Sequence, residues 1–285
     1  MNTTIFANRK QIRKSPVDKE LAAIARAEER LEKQAVQHHA AKWKEALEQK
    51  IPPKVYDNLQ KMFCVAFELI FEKGTALIEK TYSKHDLEKD FQVHDFAVEL
   101  KGSRKELRSL KAEVNRSNLV NMAVSTVEGI SLGVLGIGLP DIVLFLSVIL
   151  KGTYETAVQY GFSYETQEER LYILKLLETA MSKGERWTAC NAAVDRWIAS
   201  ADWHNADGGA VGTTFEAVKV SEQTRQTADA FAVDMLLAKF IQGIPVAGIL
   251  GGITNPVYYG RIMRYVQLKY HKRYLLQKKN QQVPG

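Results

Sequence analysis

The sequence predicts an all-α protein built around a single multi-helix domain. Apolar residues recur at three- and four-residue spacing from Val55 onward, and no segment demands a β-sheet. Helix-start signals stand before several of these runs, at Pro52-Pro53, Pro140-Asp141, Thr166-Gln-Glu-Glu169 and Asn255-Pro256. Two stretches are laced with small residues every fourth position: Ser125, Gly129 and Gly133, then Gly243, Ala247 and Gly251. On a helix such spacing makes a smooth stripe on which another backbone packs closely.

Taken in order, residues 1–17 are polar and expected to be disordered. Asp18 to Lys50 reads as a long charged helix without a continuous apolar face. Residues 1–50 therefore form an extension to a domain spanning 51–279, with 280–285 a tail. Pro52 and Pro53 open the next helix, in which Leu59, Met62, Phe63, Ala66, Leu69 and Ile70 hold one face while Phe67 and Phe71 make the other apolar too. That helix should be largely buried. Residues 83–118 are charged, with turns at Lys84-His85-Asp86 and Lys101-Gly102-Ser103. Leu119 to Gly138 forms the first glycine-striped segment, and Pro140 opens a helix through Ile142, Phe145, Leu146, Ile149 and Tyr154 that Gly161 ends. The capping box of Thr166 and Glu169 starts the next, with Leu171, Leu174, Leu177 and Met181 behind it. The stretch 184–225, with Trp187, Trp197 and Trp203, is the least legible. An apolar helix over 227–247, the second glycine segment and a final helix capped by Asn255 complete the chain. Helix packing and helix ends account for Gly129, Gly133, Gly136, Gly138, Pro140, Gly161, Gly248, Gly251, Gly252 and Asn255.

Charge is divided unevenly. The net charge is +6, yet the last acidic residue is Asp234, so the positive balance belongs to the C-terminal 51 residues. Arg261, Arg264, Lys269, Lys272, Arg273, Lys278 and Lys279 are interleaved there with Tyr258, Tyr259, Tyr265, Tyr270 and Tyr274. Basic residues among tyrosines suit a lipid headgroup zone or another local anionic partner, while no nucleic-acid motif accompanies them. A core-docked helix with solvated lysines is the competing reading. On either, reversing Lys272, Arg273, Lys278 and Lys279 to Glu is expected to leave the fold intact.

Cys64 and Cys190 sit in apolar helical patterns, which argues against a disulfide or a metal pair, and the six histidines show no metal-ligand spacing. No apolar run follows Arg9, Lys10, Arg13 and Lys14, so no secretory signal is read and the protein is expected in the cytosol. The glycines before Asp141 lack the Lys-Ser or Lys-Thr of a P-loop, and no cofactor motif stands elsewhere.

The stretch 136–180 resembles the EcsC family: Gly-Leu-Pro-Asp-Ile-Val-Leu-Phe-Leu-Ser from Gly138, Tyr154-Glu-Thr-Ala-Val-Gln-Tyr-Gly161, and Glu168-Glu-Arg-Leu-Tyr-Ile-Leu. Ile51-Pro-Pro-Lys-Val upstream and Ile244-Pro-Val-Ala-Gly-Ile-Leu-Gly-Gly-Ile-Thr-Asn255 downstream fit the same pattern, so the resemblance covers about 51–275. It implies a helical fold and a bacterial setting beside an ABC transporter linked to secretion. It implies no established activity.

Residues 129–150 hold a single charge, Asp141, and are long enough to cross a bilayer, but Pro140 and Asp141 near the centre favour a buried helical hairpin. Two function classes follow. One is a non-enzymatic helical protein attached to the cytoplasmic membrane face, or to a membrane protein, through the glycine hairpins and basic terminus. The other is an enzyme on an amphiphilic lipid or peptide, using Glu128, Asp141 and Glu169 as buried carboxylates.

Overall fold

The computed structural model describes residues 14–37, 52–123, 140–200, 213–241 and 256–281, and all their regular structure is helical. The chain runs through α1 (Pro16–Gln37), α2 (Pro53–Leu69), a π-helical turn (Ile70–Gly74), α3 (Thr75–Glu79), α4 (Lys84–Lys101), α5 (Arg104–Ala123), α6 (Pro140–Gln159), α7 (Gln167–Met181), α8 (Gly184–Ala199), α9 (Thr213–Ile241) and α10 (Pro256–Gln281). The glycine segments 129–139 and 243–255, Asn255 included, lie outside the described residues.

Local chemistry sets the helix ends. Pro52 is extended (φ −60°, ψ 127°) and Pro53 starts α2, where its missing N–H costs nothing. Ser83 caps α4 by accepting from the Asp86 N–H, and Gly102 ends it in the left-handed region with its N–H on the Val98 carbonyl. After α6, Gly161 (φ 78°) donates to the Val158 carbonyl and Phe162 to that of Ala157, each at 2.9 Å, a Schellman ending. A Cβ on Gly161 would also overlap the Phe91 ring of α4. Two needs, the backbone sign and the close helix approach, thus coincide at one residue.

The core forms where α9 packs against α7 and α2, with α10 laid across α6 and α7. Phe231 of α9 sits among Phe63, Phe67 and Phe145 at centroid distances of 5.3, 5.8 and 6.1 Å. Burying each such ring contributes about 1.5–3 kcal/mol. Among the described residues, Ile142–Gln159 of α6 is long and apolar enough to cross a bilayer, but 83% of it is buried in this core. It is an internal helix against which α2, α4, α5 and α10 pack.

The described part of the N-terminal extension is not detached. α1 packs on α5, α8 and α10, with Val17, Glu20 and Ile24 buried and Leu21, Ala27, Leu31 and Ala35 partly buried beside them. This is a helical face whose apolar run is interrupted in the sequence by Glu20 and Glu28. Arg104 and Arg108 of α5 bind Glu20, and Lys269 and Lys272 of α10 bind Glu28. The tryptophan-bearing stretch likewise yields α8, whose Trp187, Val194 and Ile198 turn inward.

Candidate functional site

The cations expected to face an anionic partner mostly point into the protein. Lys269 is fully buried and donates to Asp195 of α8 at 2.6 Å and to Glu28 of α1. Burial pulls its pKa down against the attraction of those two carboxylates. Lys272 shares the same acids at 2.9 Å. Lys278 reaches Asp95 and Glu99 of α4, Lys279 reaches Asp18 of α1, and Arg261 reaches Asp234 of α9. Arg273 lies over the Phe162 ring, 4.0 Å from its centroid, and makes two bonds of 2.7 and 2.9 Å to Glu169 of α7. The membrane-contact reading is therefore corrected for Lys269, Lys272, Arg273 and Lys278, which α10 uses as struts to α1, α4, α7 and α8, whereas Arg261 and Lys279 pair with α9 and α1 but stay partly exposed. Of the set, Arg264 alone makes no hydrogen bond or ion pair with a described residue.

Glu169 is corrected in the same way. Its backbone N–H donates to Thr166 Oγ1 at 3.2 Å, which is half of a capping box. The carboxylate does not return to the cap; it turns inward to Arg273 and to the Tyr270 hydroxyl, which donates to it at 2.6 Å. Burial raises its pKa against the pull of Arg273. No described pocket reaches it. Glu128 is outside the described residues, and Asp141 is described only as backbone in the first turn of α6.

A different site emerges where α1, α5 and α10 meet at the end of α6. The pocket there has a volume of about 330 Å³, at the lower end of small-molecule pockets. α1 lines it with Ala27, Arg30, Leu31 and Gln34, the i, i+3, i+4, i+7 stripe of one helix face. α5 adds Lys111 and Asn115, α10 adds Arg264, Gln267 and Leu268, and Tyr160 closes it from below. Arg30 and Arg264 are exposed at the rim, and Leu268 and Tyr160 are buried at the floor. Gln267 donates to the Val114 carbonyl, at 3.5 Å, which ties α10 to α5.

The electrostatics are one-sided. Arg30, Lys111 and Arg264 make no hydrogen bond or ion pair with any described residue, and no carboxylate stands among the described residues that line the pocket. The nearby acids of α1 are engaged elsewhere: Asp18 by Lys279, Glu20 by two arginines and Glu28 by two lysines. Behind the floor lies His271, fully buried, its ring 5.5 Å from that of Tyr160 and neither nitrogen hydrogen-bonded. Burial first, and then the charge of Lys111, push its pKa down to about 3, so it adds no charge at neutral pH. The arrangement can hold an anion at the rim and carbon below it.

Sequence reasoning singled out Arg264 but not Arg30 or Lys111. The signal was present on α1, as a stripe pairing Ala27 and Leu31 with Arg30 and Gln34, but it could be read only once α5 and α10 were known to lie opposite.

No curated protein and no solved structure matches the chain. The profile of the EcsC protein family matches residues 17–275, which takes in α1 and hence every helix that lines this pocket. The chain belongs to the EcsC protein family.

Proposed function

We propose that this protein is a non-catalytic binding protein that attaches peripherally to the cytoplasmic face of a membrane by receiving an anionic headgroup in the pocket between α1, α5 and α10. One observation carries the reading: three cations from three helices share a pocket with no carboxylate among its described lining residues. Cations near an acidic leaflet contribute about 1 kcal/mol each, so three give about 3 kcal/mol, or roughly 100-fold in binding. The pairing of the buried Glu169 carboxylate with Arg273 and the Tyr270 hydroxyl gives that carboxylate a structural role, which supports binding over catalysis. A membrane protein such as a transporter, in the setting the family resemblance implies, would be met at the same surface.

Cosedimentation with anionic and neutral liposomes across a salt series tests this. Binding should require anionic lipid, fade with salt, and drop about 100-fold in the Arg30→Gln/Lys111→Gln/Arg264→Gln variant. Equal sedimentation of variant and wild type would remove the pocket from the account.

A further inference from the structure

The pocket holds more positive charge than one phosphodiester can neutralise. A diester carries one negative charge and two free oxygens, whereas a monoester carries about −1.5 to −2 near neutral pH and offers three strong acceptors. Arg30, Lys111 and Arg264 approach from α1, α5 and α10, so they are placed around the opening rather than along one edge. Guanidinium groups bind such oxygens in pairs, and a ligand that meets three separate donors relieves the repulsion among them. Below the rim, Leu31 and Leu268 offer carbon rather than a polar partner, which suits the chain that bears the phosphate.

Resting on the headgroup-binding reading above, we infer that this pocket selects a phosphate monoester on a short apolar chain over the corresponding phosphate diester. The selection has a pH signature. The described charged groups facing the site are Arg30 of α1, Lys111 of α5 and Arg264 of α10, and Glu20, the acid that acts on His271, is held by Arg104 and Arg108. His271 stays neutral between about pH 5 and 8 because it sits behind Tyr160 without access to water. The second ionisation of a monoester, near pH 6, is then what changes.

Calorimetric titration of the full chain with hexyl phosphate and with methyl hexyl phosphate tests the inference. At about pH 7.5 the monoester should bind at least ~10-fold more tightly, and near pH 5 the two should agree within ~2-fold. Arg264→Gln, a rim substitution whose melting should match wild type, should erase most of the difference. Equal affinity for the two esters near pH 7.5 overturns the selectivity, as does an unchanged preference in Arg264→Gln. Vesicles carrying phosphatidic acid or phosphatidylglycerol then separate the sources. Stronger binding to phosphatidic acid supports a lipid monoester. Binding of hexyl phosphate without binding to either vesicle keeps the selectivity, identifies a free phosphorylated molecule as the source, and sinks the membrane reading alone. Equal, salt-sensitive binding to both vesicles with no ester preference keeps the membrane reading and sinks the selectivity.

Discussion

The interface of α9 with α2 and α7 and the setting of α10 solve the same problem with opposite chemistry. Phe231 of α9 enters a cluster of phenylalanines, where apolar burial is non-directional and every neighbour is acceptable at about the right volume. α10 instead brings cations inside, and each needs a particular carboxylate at a particular place: Arg273 on Glu169, Lys269 on Glu28 and Asp195, Arg261 on Asp234. The first kind of contact gives stability tolerant of substitution. The second fixes the direction and register of one helix against α1, α4, α7, α8 and α9, and breaking the pair buried on both sides, Arg273 with Glu169, leaves a charge without water or counter-charge.

Several changes would sharpen that contrast. The largest effect belongs to reversing Lys272, Arg273, Lys278 and Lys279 to Glu. The sequence alone expects a folded product, but each cation is paired, so the account predicts loss of the cooperative far-UV melting transition. Glu169→Gln leaves Arg273 buried without its counter-charge and should cost about 3–5 kcal/mol in urea titration. The double change Glu169→Leu/Arg273→Met should recover most of it, since a buried pair replaced by apolar groups is often neutral. Phe231→Ala should cost a similar 3–5 kcal/mol with no such second-site rescue. Gly161→Ala meets both a positive φ and the Phe91 ring and should cost about 1–3 kcal/mol, read as a lower melting temperature.

Acid gives a graded test. The His271 pKa is about 3 in the folded protein and about 6.5 when unfolded, so below pH 6.5 the unfolded chain binds the extra proton. Stability should therefore fall by up to about 1.4 kcal/mol per pH unit as pH drops from 6.5 toward 3, and be unaffected by this group above that range. In His271→Leu that slope should flatten in urea titrations at stepped pH. The smallest effect is expected for Lys279→Ala, whose pair with Asp18 is exposed, at under about 1 kcal/mol.

Much of the fold was legible because it is written locally. Pro53, Thr166 and Gly161 mark helix ends through chemistry with immediate neighbours, and the apolar spacing of α2, α6 and α7 follows their buried faces, whereas Lys84-His85-Asp86, read as a turn, is the first turn of α4 behind its Ser83 cap. The misread parts depend on partners distant in sequence. α1 lacked an apolar face on paper because Glu20 and Glu28 occupy it, and their cations come from α5 and α10. The C-terminal excess of positive charge pointed to an outside partner, yet the balancing acids lie earlier in the same chain, at Asp18, Glu28, Asp95, Glu169, Asp195 and Asp234. The π-helical turn at Ile70–Gly74 left no readable signal, since it inserts one residue without changing the apolar composition. The candidate pocket was hidden for the same reason as the α1 face: its three cations come from residues 30, 111 and 264.

The central claim is a division of labour, in which the paired cations of α10 hold the fold and the pocket cations, which pair with no described residue, face the opening. Thermal unfolding of two charge-matched variants tests it most directly: Lys272→Gln/Arg273→Gln/Lys278→Gln and Arg30→Gln/Lys111→Gln/Arg264→Gln. The account predicts a melting transition lowered or lost in the first and within a few degrees of wild type in the second. Equal melting of the two would contradict it.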